Sequence, residues 1–339
     1  MTTHDPSRRY RRLIERKTDP FTVEGLRQRS VLMKSASVPR PADYLRDAAA
    51  PTDAAYTAKT FEEGDRVKAQ LDEHFKTRGK DVTFDYQGSV TNDTHIKLFS
   101  DIDLLAIIGD FYHIVPPLTV TVPYSGDAVA VSRDRRESAA ARLASSFYEA
   151  DVDVSGTKAI CISGGSLART VDVVTCNLVH TARYEQTGHR KYLGINIFDA
   201  VTGARITNYP FLHNALLAER DRATGGRLKV VIRLLKSMRY DEELNLDMSS
   251  YDICGLAYRF PDHVFEPDDW NELLLRIAKH LLRTSERADF SDLLVVNETR
   301  PIFKDAATAT ASLNTLCGAL IEILQEVMAT DRRELRIAP

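Results

Sequence analysis

The chain has 339 residues, 43% of them hydrophobic and 27% charged. That is the composition of a folded globular protein, long enough for one large domain or two lobes whose core needs no disulfide support. Lysine and arginine number 45 against 48 aspartates and glutamates, a formal charge of −3, which argues against a protein that coats a nucleic-acid duplex through its phosphates. Four scattered cysteines (Cys161, Cys176, Cys254, Cys317) show no zinc spacing and read as reduced thiols of a cytoplasmic protein. The apolar runs are only strand-length, and the charged N-terminus lacks a leader's apolar stretch, so neither a membrane span nor a secretory signal is expected.

In chain order, residues 1–55 are an N-terminal segment, partly helical, with apolar periodicity near Val23 to Met33. Pro39, Pro41 and Pro51 among alanines then read as a linker or broken helix. Phe61 to Arg78 is a helix with Val67, Leu71 and Phe75 at i, i+4 and i+8, stopped by Gly79. Asp81 to Gln87 alternates as a strand and breaks at Gly88-Ser89. Ser100 to Ile108 reads as a buried strand. A proline-bearing loop leads to a helix near Asp134 to Glu149. Lys158 to Ile162, Thr170 to Cys176 and Leu193 to Phe198 are further strands, with a turn at Val201 to Ala204. Beyond Pro210 the periodicity is helical: Phe211 to Arg222, Arg227 to Arg239, Trp270 to Glu286 and Leu313 to Ala329. The pattern predicts an α/β (α+β) fold: a catalytic core over 56–205 with a mixed sheet, a helical lobe over 206–339, and an active site in the cleft between them.

The residues that carry chemistry are Gln87-Gly88-Ser89, Thr94, and Asp101 and Asp103 within Ser100-Asp101-Ile102-Asp103. Carboxylates at i and i+2 of a strand share a face. Acidic alternation is commonly a solvated edge, but this pair opens an apolar run, where unpaired carboxylates are costly. Hard oxygen donors of this kind suit magnesium or manganese, and a Gly-Ser turn offers backbone N–H groups to a phosphate. In-line phosphoryl displacement between two ions needs a third acid. Asp172, alone among valines, is preferred to Asp151 and Asp153. Lys229, Arg233 and Lys236 fall on one helical stripe opposite Leu228, Val231, Ile232 and Leu235. That stripe is either a solvated face or a means to neutralise a triphosphate. Ser250 and Tyr251 follow, a hydroxyl for a phosphate and a ring that could stack on a base or simply fill the core.

Gln87-Gly88-Ser89 with Thr94, Ser100-Asp101-Ile102-Asp103 and Val171-Asp172-Val173-Val174 resemble the acid motifs of polymerase-β-like nucleotidyltransferases. Pro210 with His213, the helix bearing Arg233 and Lys236, and Ser250-Tyr251 narrow the resemblance to the bacterial cGAS/DncV-like enzymes, the CD-NTases. The resemblance implies a polymerase-β-like core and a cyclic di- or trinucleotide second messenger, made from nucleoside triphosphates including ATP by two-metal phosphoryl transfer. The product would activate a downstream effector in antiphage (CBASS) defence. It also implies Asp101, Asp103 and Asp172 as catalytic ligands of two Mg2+ ions (or Mn2+), Gln87 and Ser89 on the triphosphate, Lys236 and Ser250 on the donor phosphates, and Tyr251 on a base. Base choice would fall to Asn208, His213 or Asn214. Without the animal sensor's zinc insertion or basic face, no nucleic-acid activator and no membrane partner are expected, whereas a regulatory protein partner is compatible with the family. The alternative is a linear nucleotidyltransferase modifying RNA, a small molecule or a protein.

Overall fold

The computed structural model describes residues 6–17, 40–96, 101–287 and 289–330. The periodic stretch 23–33, Ser100 and the tail 336–339 lie outside the described residues. In chain order the elements are α1 (Pro6–Lys17), α2 (Pro41–Ala49), α3 (Ala54–Thr77), β1 (Val82–Gln87), β2 (Ile102–Ile114), α4 (Ala128–Ser146), β3 (Asp151–Asp153), β4 (Ala159–Ser163) and β5 (Val171–His180). There follow α5 (Ala182–Thr187), β6 (Gly194–Phe198), β7 (Arg205–Asn208), α6 (Pro210–Ala223), α7 (Arg227–Asp241), α8 (Ser250–Tyr258), α9 (Trp270–Ser285) and α10 (Ala306–Thr330). They form two compact units, one of residues 53–92 and 100–215, the other of 1–52, 93–99 and 216–339.

The first unit is built on a mixed seven-stranded sheet in the order β1-β2-β5-β4-β3, with β6 also on β5 and β7 on β6. Only β2 and β5 are parallel; the other pairs are antiparallel. The β5 edge away from β2 is shared, β4 taking residues 171–174 and β6 taking 176–179. α3 starts at Asp53, whose carboxylate accepts the N–H groups of Ala55 and Tyr56, the capping bond that satisfies a helix's first free donors. Its Val67, Leu71 and Phe75 pack with Ala139 and Leu143 of α4 on Ile102, Leu104 and Ala106 of β2 and on Val171 and Val173 of β5. Because strand side chains alternate, Leu105, Ile107, Val174 and Cys176 point to the opposite face, in a smaller cluster with Ile195. One face of the sheet is therefore covered by helices. The other presents the odd residues of β2 and the even residues of β5.

The second unit is helical, with one apolar core drawn from α1, α2 and α6 to α10. Leu13, Tyr44, Leu45, Ala48 and Ala49 belong to that core, so the N-terminal helices are part of the helical unit and not a segment apart. The boundary expected at 205/206 falls at 215/216, inside α6. The stretch read as a linker or broken helix is α2, with Pro41 in its first turn, where a missing N–H costs nothing and the fixed φ suits the helix. Buried Arg16 donates to both oxygens of Asp241, which also accepts from Tyr44 Oη, tying α1 and α2 to α7.

α10 is long and apolar enough in composition to cross a membrane, unlike anything the strand-length apolar runs foretold. Scattered alanines and threonines break the runs without breaking the helix. Its Leu313, Leu316, Leu320, Ile323 and Val327 are buried in the helical core, as in the core helix of a water-soluble domain.

Candidate active site

Backbone pairing lines up five residues across the sheet. Gln87 of β1 pairs with Asp103 of β2, Asp103 with Asp172 of β5, Asp172 with Cys161 of β4, and Cys161 with Asp153 of β3. Directly paired residues point to the same face, here the face away from α3 and α4. Asp101, two residues before Asp103 on the same strand path, joins them by the two-residue period. With strands ~4.8 Å apart, Asp172 is one step from Asp103, while Asp153 is three steps away, about 14 Å, on an exposed edge. Parallel pairing of β2 with β5 thus favours Asp172 over Asp151 and Asp153.

Asp172 and Asp101 stand close enough to Asp103 to raise its pKa, and Asp172 close enough to Asp101 to raise its. Burial, then Asp172, then Asp101 push Asp103 up to about 7. Asp101, at the solvent-facing start of the strand yet partly enclosed, is raised by burial first and by Asp172 second. Burial also raises Asp172, against which the Cys161 thiol acts by donating a hydrogen bond to its carboxylate. The thiol itself is held at about 11 by burial and by Asp172 and Asp101. Among the described residues none of the three aspartates is paired with a lysine or arginine.

Asp103 lies against Gly88, where a Cβ would come within 2.1 Å of its Oδ2, and Asp172 is turned to Cys161. As placed, no three histidine, cysteine, aspartate or glutamate side chains among the described residues enclose a point where a metal ion could sit. The donor chemistry nevertheless fits a hard divalent cation: carboxylate oxygens on one face, crowded, raised in pKa and without a protein counter-charge.

Gly88-Ser89 makes the turn after β1, with Gly88 at φ +86°, a conformation only glycine adopts freely. The absence of a Cβ also lets the turn lie on Asp103. The connector then passes from the sheet unit, which ends at Asn92, into the helical unit, which takes 93–99.

In the helical unit the expected basic stripe of α7 is not a solvent-facing stripe. Arg233 is 4% and Lys236 2% exposed, as buried as the apolar Leu228, Val231, Ile232 and Leu235 on the other face. Arg233 donates to the carbonyls of Ala49 and Asp93 and to the Asp93 carboxylate. Lys236 Nζ donates to the carbonyl of fully buried Thr94 at 2.6 Å, and burial lowers its pKa. Both cations clasp the connector. A buried connector has carbonyls that need donors, a demand the helical periodicity of α7 does not reveal. Lys229 sits beside Asp221, its backbone N–H donating to Asp221 Oδ1. Ser250 opens α8 behind Ser249, whose hydroxyl and Asp252 form a capping box. Tyr251 packs against the helical core under the Arg300 guanidinium.

Residues 215–325 match the model of the cGAS/DncV-like nucleotidyltransferase C-terminal helical domain. The chain is 32% identical over 295 residues to the cyclic dinucleotide synthase CdnE of Yersinia aleksiciae, covering 84% of this chain and 77% of that protein. The chain belongs to the cGAS/DncV-like nucleotidyltransferases. A c-di-GMP synthase of a Lachnospiraceae bacterium is 29% identical over 84% of this chain and 88% of its own length. The fold agrees with the structure of a STING-associated CdnE c-di-GMP synthase from Flavobacteriaceae sp., at TM-score 0.79, 21% identity and coverage of 97% of this chain and all (100%) of that one.

As a CD-NTase with the polymerase-β-like fold, the protein is a nucleotidyltransferase and a cyclic oligonucleotide synthase, from a generally metal-dependent group of enzymes. For this CD-NTase the structure brings Gln87, Gly88, Asp103 and Asp172 together with Asp101. It commits Arg233 and Lys236 to the connector and Tyr251 to the helical core. Sequence reading missed Cys161, which no motif marks; only the register of β4 on β5 puts it beside Asp172. It also read Asn214 as a base-choice candidate, whereas both ends of that amide are engaged by Thr91 and Asn92.

Proposed function

We propose that this CD-NTase joins two nucleoside triphosphates, GTP foremost, into a cyclic dinucleotide with release of pyrophosphate at each bond. The observation that carries the reading is the row Gln87–Asp103–Asp172 with Asp101, on one sheet face, in a chain similar over most of its length to cyclic dinucleotide synthases. Guanine as the base is supported by the c-di-GMP synthase similar over 84% of this chain and narrows the expectation that ATP is a substrate.

Asp101, Asp103 and Asp172 would hold the divalent cations, two Mg2+ or Mn2+, with Asp101 and Asp103 common to both. When bound, these ions would lower the pKa of the attacking ribose hydroxyl and offset charge on the leaving pyrophosphate. The chain's own part is positioning. Gly88-Ser89 offers backbone N–H groups and a hydroxyl to the triphosphate, and Gln87 an amide beside Asp103. The Asp172 carboxylate is oriented by the Cys161 thiol. For Ser250 a phosphate contact rests on the resemblance alone. Arg233 and Lys236 serve by holding residues 93 and 94. The cytoplasm is the compartment this reading requires, since it supplies the triphosphates, and a cyclic-dinucleotide-binding effector is the recipient of the product.

The test is incubation with the four triphosphates and magnesium, phosphatase treatment, and mass spectrometry of what survives. Phosphatase-resistant cyclic di-GMP is expected. A product that loses its terminal phosphates in that treatment, leaving a linear dinucleotide, would instead make the enzyme a linear transferase. Wild-type turnover by Asp101→Asn with Asp103→Asn would remove the aspartates from the chemistry.

A further inference from the structure

A chain of hydrogen bonds inside the sheet unit ends on the Gly88-Ser89 turn. Asn214, in the first turns of α6, donates through Nδ2 to Thr91 Oγ1 at 3.0 Å. The Thr91 hydroxyl in turn donates to the Gly88 carbonyl at 2.8 Å. Asn214 Oδ1 accepts from Nδ2 of Asn92 at 3.3 Å, so the amide is fixed at both ends. A hydroxyl that accepts one bond while donating another is polarised by it, and such chains strengthen cooperatively.

We infer that Asn214 and Thr91 are positioning residues that set the direction of the Ser89 N–H toward a bound triphosphate. The inference rests on the reading of Gly88-Ser89 as the triphosphate turn. In a trans peptide the carbonyl of one residue and the N–H of the next point in opposite directions. Pinning the Gly88 carbonyl to Thr91 therefore fixes where the Ser89 N–H points. The constraint is needed because residue 88 is glycine, whose missing side chain leaves its ψ, and with it the plane of the 88–89 peptide, less restricted than at any other residue. Glycine is required there because a side chain would strike the Asp103 carboxylate. The freedom that admits Asp103 also leaves the peptide free to flip, and the bond from Thr91 removes that freedom. Asn214 stabilises the arrangement by fixing the rotamer of the Thr91 hydroxyl, and it brings α6, some 120 residues later in the chain, to bear on the phosphate turn (sequence separation 123).

The experiment is calorimetric titration of the full-length protein with a non-hydrolysable GTP analogue and magnesium. The variants are Thr91→Val, Thr91→Ser, Asn214→Ala, the double variant Thr91→Val with Asn214→Ala, and Ser89→Ala, with thermal melting alongside to confirm folding. Thr91→Val keeps the shape and removes the hydroxyl, and is expected to weaken binding about 10-fold. Asn214→Ala should weaken it by a smaller factor, and Thr91→Ser should bind as wild type. The double variant should be no worse than Thr91→Val, because a relay broken at its last link has nothing more to lose. Losses that multiply in the double variant, or a Thr91→Val protein that binds normally while Ser89→Ala binds poorly, would overturn the relay and leave the triphosphate turn standing. Normal binding by Ser89→Ala and Thr91→Val together would overturn the placement of the triphosphate itself.

Discussion

Charge is handled in opposite ways in the two units. On the open sheet face three carboxylates crowd together with no protein cation among the described residues, and all three are raised in pKa. On α7 two cations are buried more deeply, yet each is satisfied by carbonyls of 93–94 and, for Arg233, of Ala49. An unbalanced cluster marks a place kept for a ligand, and a balanced one marks structure. Acids and bases that were equally motif-like in sequence thus separate into an unbalanced cluster, proposed above as the metal-binding group, and a balanced clasp on the connector.

The largest effect expected from breaking that contrast is on turnover. Asp103→Asn should lower cyclic dinucleotide synthesis at least ~1000-fold, since an amide neither ligates nor repels as a carboxylate does, while its melting temperature should not fall. A variant that loses activity only because it unfolds would refute the contrast. Arg233→Ala should do the reverse in stability. It leaves the Ala49 and Asp93 carbonyls without their donor and should destabilise the fold by about 2–3 kcal/mol, read as a drop in denaturant midpoint.

The pH dependence of stability sharpens the same point. The Asp103 pKa of about 7 in the fold lies above the ordinary carboxylate value. Between roughly pH 4 and 7 the folded chain therefore binds more protons than the unfolded one, and stability falls as pH rises through that window. The slope, worth about 4 kcal/mol in total, should be measurable by denaturation in chelator. It should shrink markedly in Asp103→Asn, leaving the smaller part due to Asp101 and Asp172, and flatten with saturating magnesium, which favours the ionised form. A slope unchanged by the substitution would show that Asp103 is not the group responsible.

The smallest effect belongs to Cys161. Cys161→Ala removes the thiol that keeps Asp172 from rising further, so the acid limb of the pH–rate profile should move to higher pH, with a rate loss of about 2- to 5-fold near neutrality. Cys161→Ser should restore the profile, and identical profiles for all three proteins would deny Cys161 any part.

Much of this was legible in the sequence. Two-residue alternation put Asp101 and Asp103 on one face of β2, and the isolation of Asp172 among valines marked it as an acid kept inside a sheet for a reason. Periodicity located α7 and α9 within about two residues and the end of α3 within one, whereas α3 begins at Ala54 and not at the expected Phe61. The reading failed where a residue's meaning depends on what packs against it. α2 was hidden because a proline at a helix start and a proline in a linker look alike. The periodicity of Leu313 to Ala329 marks α10, but its first turns, residues 306–312, are alanines, threonines and a serine that carry no apolar repeat.

The sequence by itself determined the local chemistry: which residues could ligate, which strand presents them, and that a Gly-Ser break follows β1. Only the tertiary structure decided the company they keep. Parallel pairing of β2 with β5 set Asp172 beside Asp103, β4 brought Cys161 to it, the burial of α7 turned a basic stripe into a clasp, and α6 delivered Asn214 to Thr91. Propensity and alternation act over a few residues. Strand register and burial are fixed by contacts between segments tens to hundreds of residues apart, and no single stretch of sequence carries them.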